Sequence, residues 1–272
     1  MMHKCIRAAN LMGLAGLTAA AVLISGGTRT AWAAPANDPK AEEVARQMMQ
    51  AMGGEDAWNA AHFVRFDFKV KVGSKLVADN HHLWDRKGGR YRLERLTKDG
   101  KHEVDLFNIG DYERSKAGLA YLDGKVQAGE AARKLLEDAY GSYINDSWWL
   151  SMPWKWFATG VNLKYLGTQK RGKESDDEVQ LTFDHVGLTP GDLYHAFVSR
   201  DTHLMTHWDY ILQSHEKGAW DWQYGTYHGV KLASNHTSAD HKDSINMGDV
   251  RVLDAVDDSF FTDPAHSLPE LK

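Results

Sequence analysis

Carboxylates set among tryptophans are the first chemistry this sequence offers. Asp146 sits at the start of the segment Asn145 to Trp156, NDSWWLSMPWKW, and Asp221 stands between Trp220 and Trp222. A carboxylate pair on an aromatic platform is the equipment of a glycosidase or a sugar-binding cleft. The plainer alternative makes Asp146 a cap or turn residue and Asp221 an outward strand residue. Histidines are the second candidates. His81 and His82 are neighbours, so in a strand they face opposite ways. His203 and His207 share a strand face, about 13 Å apart at roughly 3.3 Å per residue, too far for one metal. His207 with Asp209 is the nearest thing to a ligand pair, against the reading that both are solvated surface. The sequence has no Gly-rich phosphate loop, no Gly-x-Ser-x-Gly elbow and no His-Glu-x-x-His helix. No catalytic residue, metal ligand or cofactor is assigned, and the chain is expected not to be an enzyme.

The segment around Asp146 holds four of the ten tryptophans, Trp148, Trp149, Trp154 and Trp156, with Met152 and Pro153 between them. At 150 to 250 Å² per ring, roughly 600 to 1,000 Å² of amphipathic surface is concentrated there, as a core plug or as a sticky lip. No period fits the segment, and Pro153 pushes Met152 out of the helical region, so a structured loop after a helix is expected.

The elements that must position these residues follow from periodicity. Asp38 and Pro39 start an amphipathic helix over Ala41 to Met52, and a second short turn covers Glu55 to Ala61. Val64, Phe66, Phe68, Val70 and Val72 then alternate with Arg65, Asp67, Lys69 and Lys71, a strand with one apolar face and one solvated, charged face. Further strands are expected over Leu76 to Trp84, Arg90 to Leu96, Glu103 to Ile109, Tyr112 to Ser115 and Leu119 to Leu122. A helix runs from Gly129 to about Tyr143. Strands resume over Val161 to Gly167, Glu178 to Phe183, Leu193 to Ser199, Leu204 to Leu212, Ala219 to Tyr224, Tyr227 to Ser234 and around Val250 to Val256. Trp208, Tyr210, Trp220 and Trp222 pave one face of two adjacent strands. So long an antiparallel sheet must curl and be covered. The expected fold is mainly β (α+β), a strongly curved open half-barrel with two or three covering helices.

Met1 to Ala33 has the form of a secretory signal: Lys4 and Arg7, an apolar run from Ala8 to Ile24, and a small-x-small site at Ala31 to Ala33. Cleavage near Ala33 leaves one domain, 34–272, in the periplasm or outside the cell, with no later stretch able to span a bilayer. Cys5 is the only cysteine and leaves with the leader, so disulfides and thiolate chemistry are excluded. The leader takes three of the 32 basic residues, leaving 29 against 37 acidic ones, a balance of −8 that argues against a nucleic-acid partner.

The strings MGGEDAW (Met52 to Trp58), NDSWWLSMPWKW with TGVNLKYLG, VGLTPGDLYHAFV and DTHLMTHWDY resemble secreted proteins of the LolA/LolB-like superfamily, the outer-membrane lipoprotein-sorting group, in its uncharacterised branch. The similarity covers about Ala41 to Val256. It implies an open antiparallel half-barrel with helices as a lid over a hydrophobic cavity that takes acyl chains. No acyl-binding motif carries over, and without a cysteine placed for lipidation the lipid-anchored receptor role does not fit.

Together these readings suggest a soluble periplasmic carrier that shields acyl chains. Its partners would be a lipid or acylated protein, with envelope proteins as further candidates. Phe66, Phe68, Trp84, Trp148, Trp149, Met152, Trp154, Trp208, Tyr210, Trp220 and Trp222 are the expected cavity lining. The alternatives are glycan binding or hydrolysis through Trp stacking and Asp146 or Asp221, and a structural envelope protein with a filled core.

Overall fold

The structure, a computed structural model, describes residues 38–184 and 186–271. The expected signal segment and its cleavage site lie outside the described residues. Helix α1 (Pro39–Ala51) starts where the Asp38 carboxylate accepts from the Lys40 and Ala41 amides at 2.8 and 3.3 Å, with Pro39 in the first turn, and it buries Ala41, Val44, Ala45, Met48 and Met49. Helix α2 (Gly54–Ala60) follows at once.

The strands are β1 (Phe63–Val72), β2 (Lys75–Asp85), β3 (Arg90–Leu96), β4 (His102–Asn108), β5 (Leu119–Leu122) and β6 (Lys125–Val126), then β7 (Val161–Arg171), β8 (Glu174–Phe183), β9 (Leu193–Ser199), β10 (Met205–Ile211), β11 (Lys217–Tyr227), β12 (Val230–Ser238) and β13 (Asp243–Leu253). They form one 13-stranded sheet in the order β6-β5-β4-β3-β2-β1-β13-β12-β11-β10-β9-β8-β7. Two meanders therefore run outward from the β1–β13 pair, in which Phe68 faces Met247 and Val70 faces Ile245 across antiparallel strands. Strands β6 and β7 are the free edges, and the sheet is an open half-barrel. Helix α4 (Gly129–Ser151) and the 3-10 turn Met152–Lys155 lead from one edge to the other. At 1.5 Å per residue a 23-residue helix is about 34 Å long, enough to cross the concave side.

Three sequence expectations are corrected. Asn145 to Ser151 is helix rather than loop, and Met152 keeps helical dihedrals (φ −52°, ψ −42°) despite Pro153. The break falls one residue earlier, at Ser151 (φ −139°, ψ 19°), and Pro153 then sits in the first turn of the 3-10 segment, where no amide hydrogen is needed. Tyr112 to Ser115 lies in helix α3 (Ile109–Ser115), because the Asn108 side chain accepts from the Asp111 amide at 3.2 Å and Lys116 closes the helix in the left-handed region. The outward row of β1 is solvated only in part: Lys71 is exposed and Lys69 half-buried, but Arg65 and Asp67 are 1% and 6% exposed and paired at 2.5 Å. After β13 the chain folds back over this outer side, where Phe63 and Leu83 pack with Phe260, Phe261, Leu268 and Leu271, and Leu83 stands beside Arg65 in the ladder. Arg92 fastens that tail by donating to the carbonyls of Phe260 and Asp263 at 3.0 and 2.9 Å.

Gly53 lies at the junction of α1, α2 and β12, with φ +121°, and a Cβ there would collide with the Gly229 carbonyl. Gly73, at φ +59°, has open space around it. Both Gly→Ala variants incur the left-handed backbone cost of about 1 to 2 kcal/mol, and only Gly53→Ala adds the collision. Urea unfolding is expected to show Gly53→Ala losing more stability than Gly73→Ala; equal losses would contradict the close approach.

Candidate functional site

The concave face is decided by alternation along each strand. Phe66, Phe68, His82, Trp84, Tyr91, Phe107, Tyr194, Trp208, Trp220, Trp222, His236 and Met247 all point to the inner side, and helix α4 lies over them. The buried positions of α4 are Leu136, Ala139, Gly141, Ser142, Asp146, Ser147, Leu150 and Ser151, so small and polar residues stand among the leucines, while Tyr140, Tyr143, Trp148 and Trp149 pack half-buried against the same core.

That polarity is used. Asp146 is 2% exposed and accepts from Asn80 Nδ2 at 2.8 Å and from Asn145 Nδ2 at 2.8 Å. His82, fully buried, places Nε2 3.0 Å from the Asp146 carboxylate and Nδ1 2.9 Å from the Tyr91 hydroxyl. A carboxylate only accepts, so Nε2 carries the hydrogen; Tyr91 then donates to Nδ1. Burial holds the His82 imidazole below its ordinary pKa, against the pull of Asp146, and keeps the Tyr91 hydroxyl protonated well above its usual range. One helical turn back, Ser142 accepts from Arg95 Nη1 at 3.2 Å, and Arg95 is paired with Glu103 at 2.6 Å. Asp105 beside them is buried, and burial together with Glu103 pushes its pKa well up. The helix is thus latched to β2 and β3 by hydrogen bonds.

One turn further on, Trp149 sits in an aromatic nest. Its ring lies 4.6 Å from Trp208, 5.3 Å from Trp220, 6.3 Å from Trp222 and 5.0 Å from His236. Within this nest Trp208 Nε1, Trp222 Nε1 and both His236 ring nitrogens are buried without a hydrogen-bond partner; the Trp149 backbone carbonyl faces the His236 ring without completing one. Burial drives the His236 pKa down to about 3, so the ring is neutral. Beyond the helix, Trp154 stacks on Trp58 at 5.1 Å and donates to the Lys231 carbonyl at 2.9 Å, and Trp156 closes the core by contact with Met152.

Of the eleven residues expected to line a cavity, Phe66, Phe68, Trp84, Met152, Trp154, Trp208, Tyr210, Trp220 and Trp222 are buried in one continuous cluster, with Trp148 and Trp149 half-buried against it. The structure brings them together around α4, and their concave face is occupied by the chain's own side chains. Two open grooves, of about 550 and 300 Å³, are present: the first is lined by His195, Asp209 and Lys217 together with Tyr210, one of the eleven, and the second by Arg90, Leu106 and Phe261.

The carboxylate pair does not form. Asp146 stands on the buried side of α4, whereas Asp221 lies on the outer face, held by His207 Nδ1 at 2.6 Å and by Arg171 at 3.3 Å. His207 also reaches Asp209 at 3.0 Å. Among the described residues no three His, Cys, Asp or Glu side chains converge as a metal site. His203 sits in the turn before β10 with φ +56°, so it does not share a strand face with His207. Sequence reasoning named His82 without assigning it to the inner face, and missed Asn80, Tyr91 and His236. Their one signal was position: His82 and Asn80 fall in step with Trp84 on the inner face.

The site therefore belongs to an open antiparallel half-barrel whose concave aromatic face is covered by α4, with α1 packed into the same core, in line with the half-barrel and helical cover that the LolA/LolB-like resemblance implies. No family profile and no curated protein matches the chain. Among solved structures it is similar to a DUF1329 family protein from Desulfovibrio piger, 10% identical with a TM-score of 0.46 over 81% of this chain and 96% of that one. It is similar also to a LolA superfamily protein from Nitrosomonas europaea, 10% identical with a TM-score of 0.45 over 81% and 96%. A third is the lipoprotein LppX from Mycobacterium tuberculosis, 11% identical with a TM-score of 0.33 over 81% and 100%. These are likenesses in the course of the chain, not in side chains. Among the described residues no helix is long and apolar enough to cross a membrane.

The neutral buried histidines carry a pH signature. Below about pH 6.5 the unfolded chain takes up protons that folded His82 and His236 do not, so each makes stability fall with acidification, by about 1.4 kcal/mol per pH unit. For His236 the window runs down to about 3. His236→Phe is expected to lose stability less steeply than the unmodified protein between pH 6 and 4, by about that slope. Urea titrations at three pH values measure it, and parallel slopes would show that His236 is not held neutral.

Proposed function

We propose that this chain is a periplasmic carrier that shields an acyl chain of a lipid or acylated protein on the concave face, taking it in when α4 lifts. The observation that carries this reading is the nature of the cover: α4, laid across the aromatic inner face, combines aromatic contacts through Tyr143, Trp148 and Trp149 with hydrogen-bonded latches at Asp146 and Ser142. Apolar surface is worth about 25 cal/mol per Å² when removed from water, so the inner face is a strong acyl site whenever it is uncovered. Buried hydrogen-bonded latches set one position for the helix while contributing modestly to stability, because each bond replaces one to water. The leader-like segment Met1 to Ala33 supports a periplasmic setting.

A carrier whose binding face is exposed only in its open state has its affinity lowered by the open fraction. Weakening the latch by about 1.4 kcal/mol raises apparent affinity about tenfold. Asp146→Asn removes the charge from the bonds to His82 and Asn80, and it is expected to bind a fluorescent fatty-acyl probe about tenfold more tightly while still melting cooperatively. Native mass spectrometry of protein purified from its own periplasm should show a bound acyl species. If neither form binds the probe and the purified protein carries nothing, the concave face is simply a filled core.

A further inference from the structure

An unmatched pair of cations stands where α4 ends. Arg86 follows β2, Lys155 closes the 3-10 turn, and both lie against the Trp84 ring, 5.6 and 6.0 Å from its centre. The Arg86 guanidinium also lies 3.4 Å from the centre of the Trp58 ring, and the Lys155 ammonium 5.6 Å from that of Trp148. Arg86 Nη1 donates to the Trp58 and Ala61 carbonyls at 2.5 and 2.6 Å, which closes the end of α2, but Arg86 Nε is buried with no acceptor. Lys155 Nζ donates to Ser147 Oγ at 3.0 Å, and Trp148 Nε1 is a further buried donor without an acceptor.

What is missing here is present everywhere else. Every other buried or half-buried arginine among the described residues, Arg65, Arg90, Arg92, Arg95, Arg171 and Arg251, has a carboxylate at 2.5 to 3.5 Å. Arg86 and Lys155 form no ion pair among the described residues. Burial and the nearby Arg86 charge pull the Lys155 amine down to about 7, and burial alone lowers Arg86 to about 10. Two like charges drawn partly out of water without a counterion are relieved either when the Lys155 amine gives up its proton or when an anion completes the pair. The aromatic walls suit an amphiphile at this point, since each indole offers an apolar face and a polar edge.

We infer that Arg86 and Lys155 bind an anionic oxygen group, a phosphate or carboxylate, which is the headgroup of the acyl ligand when the tail lies under α4. Binding of the tail rests on the carrier reading above; binding of the anion does not. Lys155 supplies a compact charge with rotatable donors and Arg86 a planar one, already oriented by its two carbonyls. Trp84, Trp58 and Trp148 flank the stem of the ligand.

The test compares three probes on the purified protein by titration calorimetry: dodecyl phosphate, dodecanol and inorganic phosphate. A charge-assisted site should favour dodecyl phosphate over dodecanol by about tenfold or more. Lys155→Met should collapse that ratio towards one, Lys155→Arg should keep it, and inorganic phosphate should compete with dodecyl phosphate. Lys155→Met avoids Arg86, whose loss would also uncap α2. If both dodecyl ligands bind equally in all three proteins, the carrier reading stands and the anion site is overturned. If inorganic phosphate binds and shifts the Lys155 amine resonance while neither dodecyl ligand binds, the anion site stands with a free anion as its ligand and the carrier reading falls. If neither phosphate binds, the site is overturned.

Discussion

Everything on the inner side of this protein follows from where α4 must go. The sheet grows outward from the β1–β13 pair, so its first meander ends at one free edge and its second begins at the other. The chain between β6 and β7 has to cross the open side of the half-barrel, and a helix of 23 residues is the cheapest way to do so without leaving backbone groups unpaired. The helix is therefore a cover by topology before it is one by packing. A barrel closed by strand pairing would have no such element.

Topology alone would allow α4 to slide or rotate over a uniformly apolar surface. The hydrogen bonds from Asn80 and His82 to Asp146, and from Arg95 to Ser142, remove that freedom, because each is satisfied at only one register. Trp149 then drops among Trp208, Trp220 and Trp222 at a fixed distance from the latch, one turn along the same face. Polar bonds specify the place and aromatic contact supplies area. The division matters for a moving part, since specificity that comes from bonds exchangeable with water is lost and regained more readily than specificity that comes from a dry interlock.

The curved sheet was legible because it is written in alternation: the run from Val64 to Val72 and the paired faces of Trp208, Tyr210, Trp220 and Trp222 each identify a strand and its inner side. The helical stretch Asn145 to Ser151 was not legible, because its buried face is Asp146, Ser147, Leu150 and Ser151, and a polar buried stripe has no hydrophobic period. Arg65 and Asp67 looked solvated because most of their partners come from other strands: Asp67 pairs with Arg65 and with His81 of β2, and Arg65 also faces Asp249 of β13. The aromatic lining was legible, but not what occupies it, since composition cannot distinguish a ring that waits for a ligand from one that meets another ring. His82 was hidden by its neighbour His81, and only the pairing register with Phe66 assigns it to the interior.

The distribution of charge completes the picture of the covered face. The chain has 37 acidic residues against 32 basic ones, so acids are in surplus, and elsewhere they are spent on arginines that leave the solvent. At Trp84 none is supplied. An acidic protein that withholds carboxylates from one aromatic-walled pair of cations has a positive spot set against its own net charge, and neighbouring field lines converge on it. The bonds to Asp146 and Ser142 hold α4 to β2 and β3, whereas Arg86 is tied to the end of α2 and Lys155 to Ser147, beside the latch. Lifting the helix breaks the first set and leaves Arg86, fixed by the Trp58 and Ala61 carbonyls, in place. A ligand that is charged at one end and greasy along its length is the one chemistry that would meet both surfaces at once.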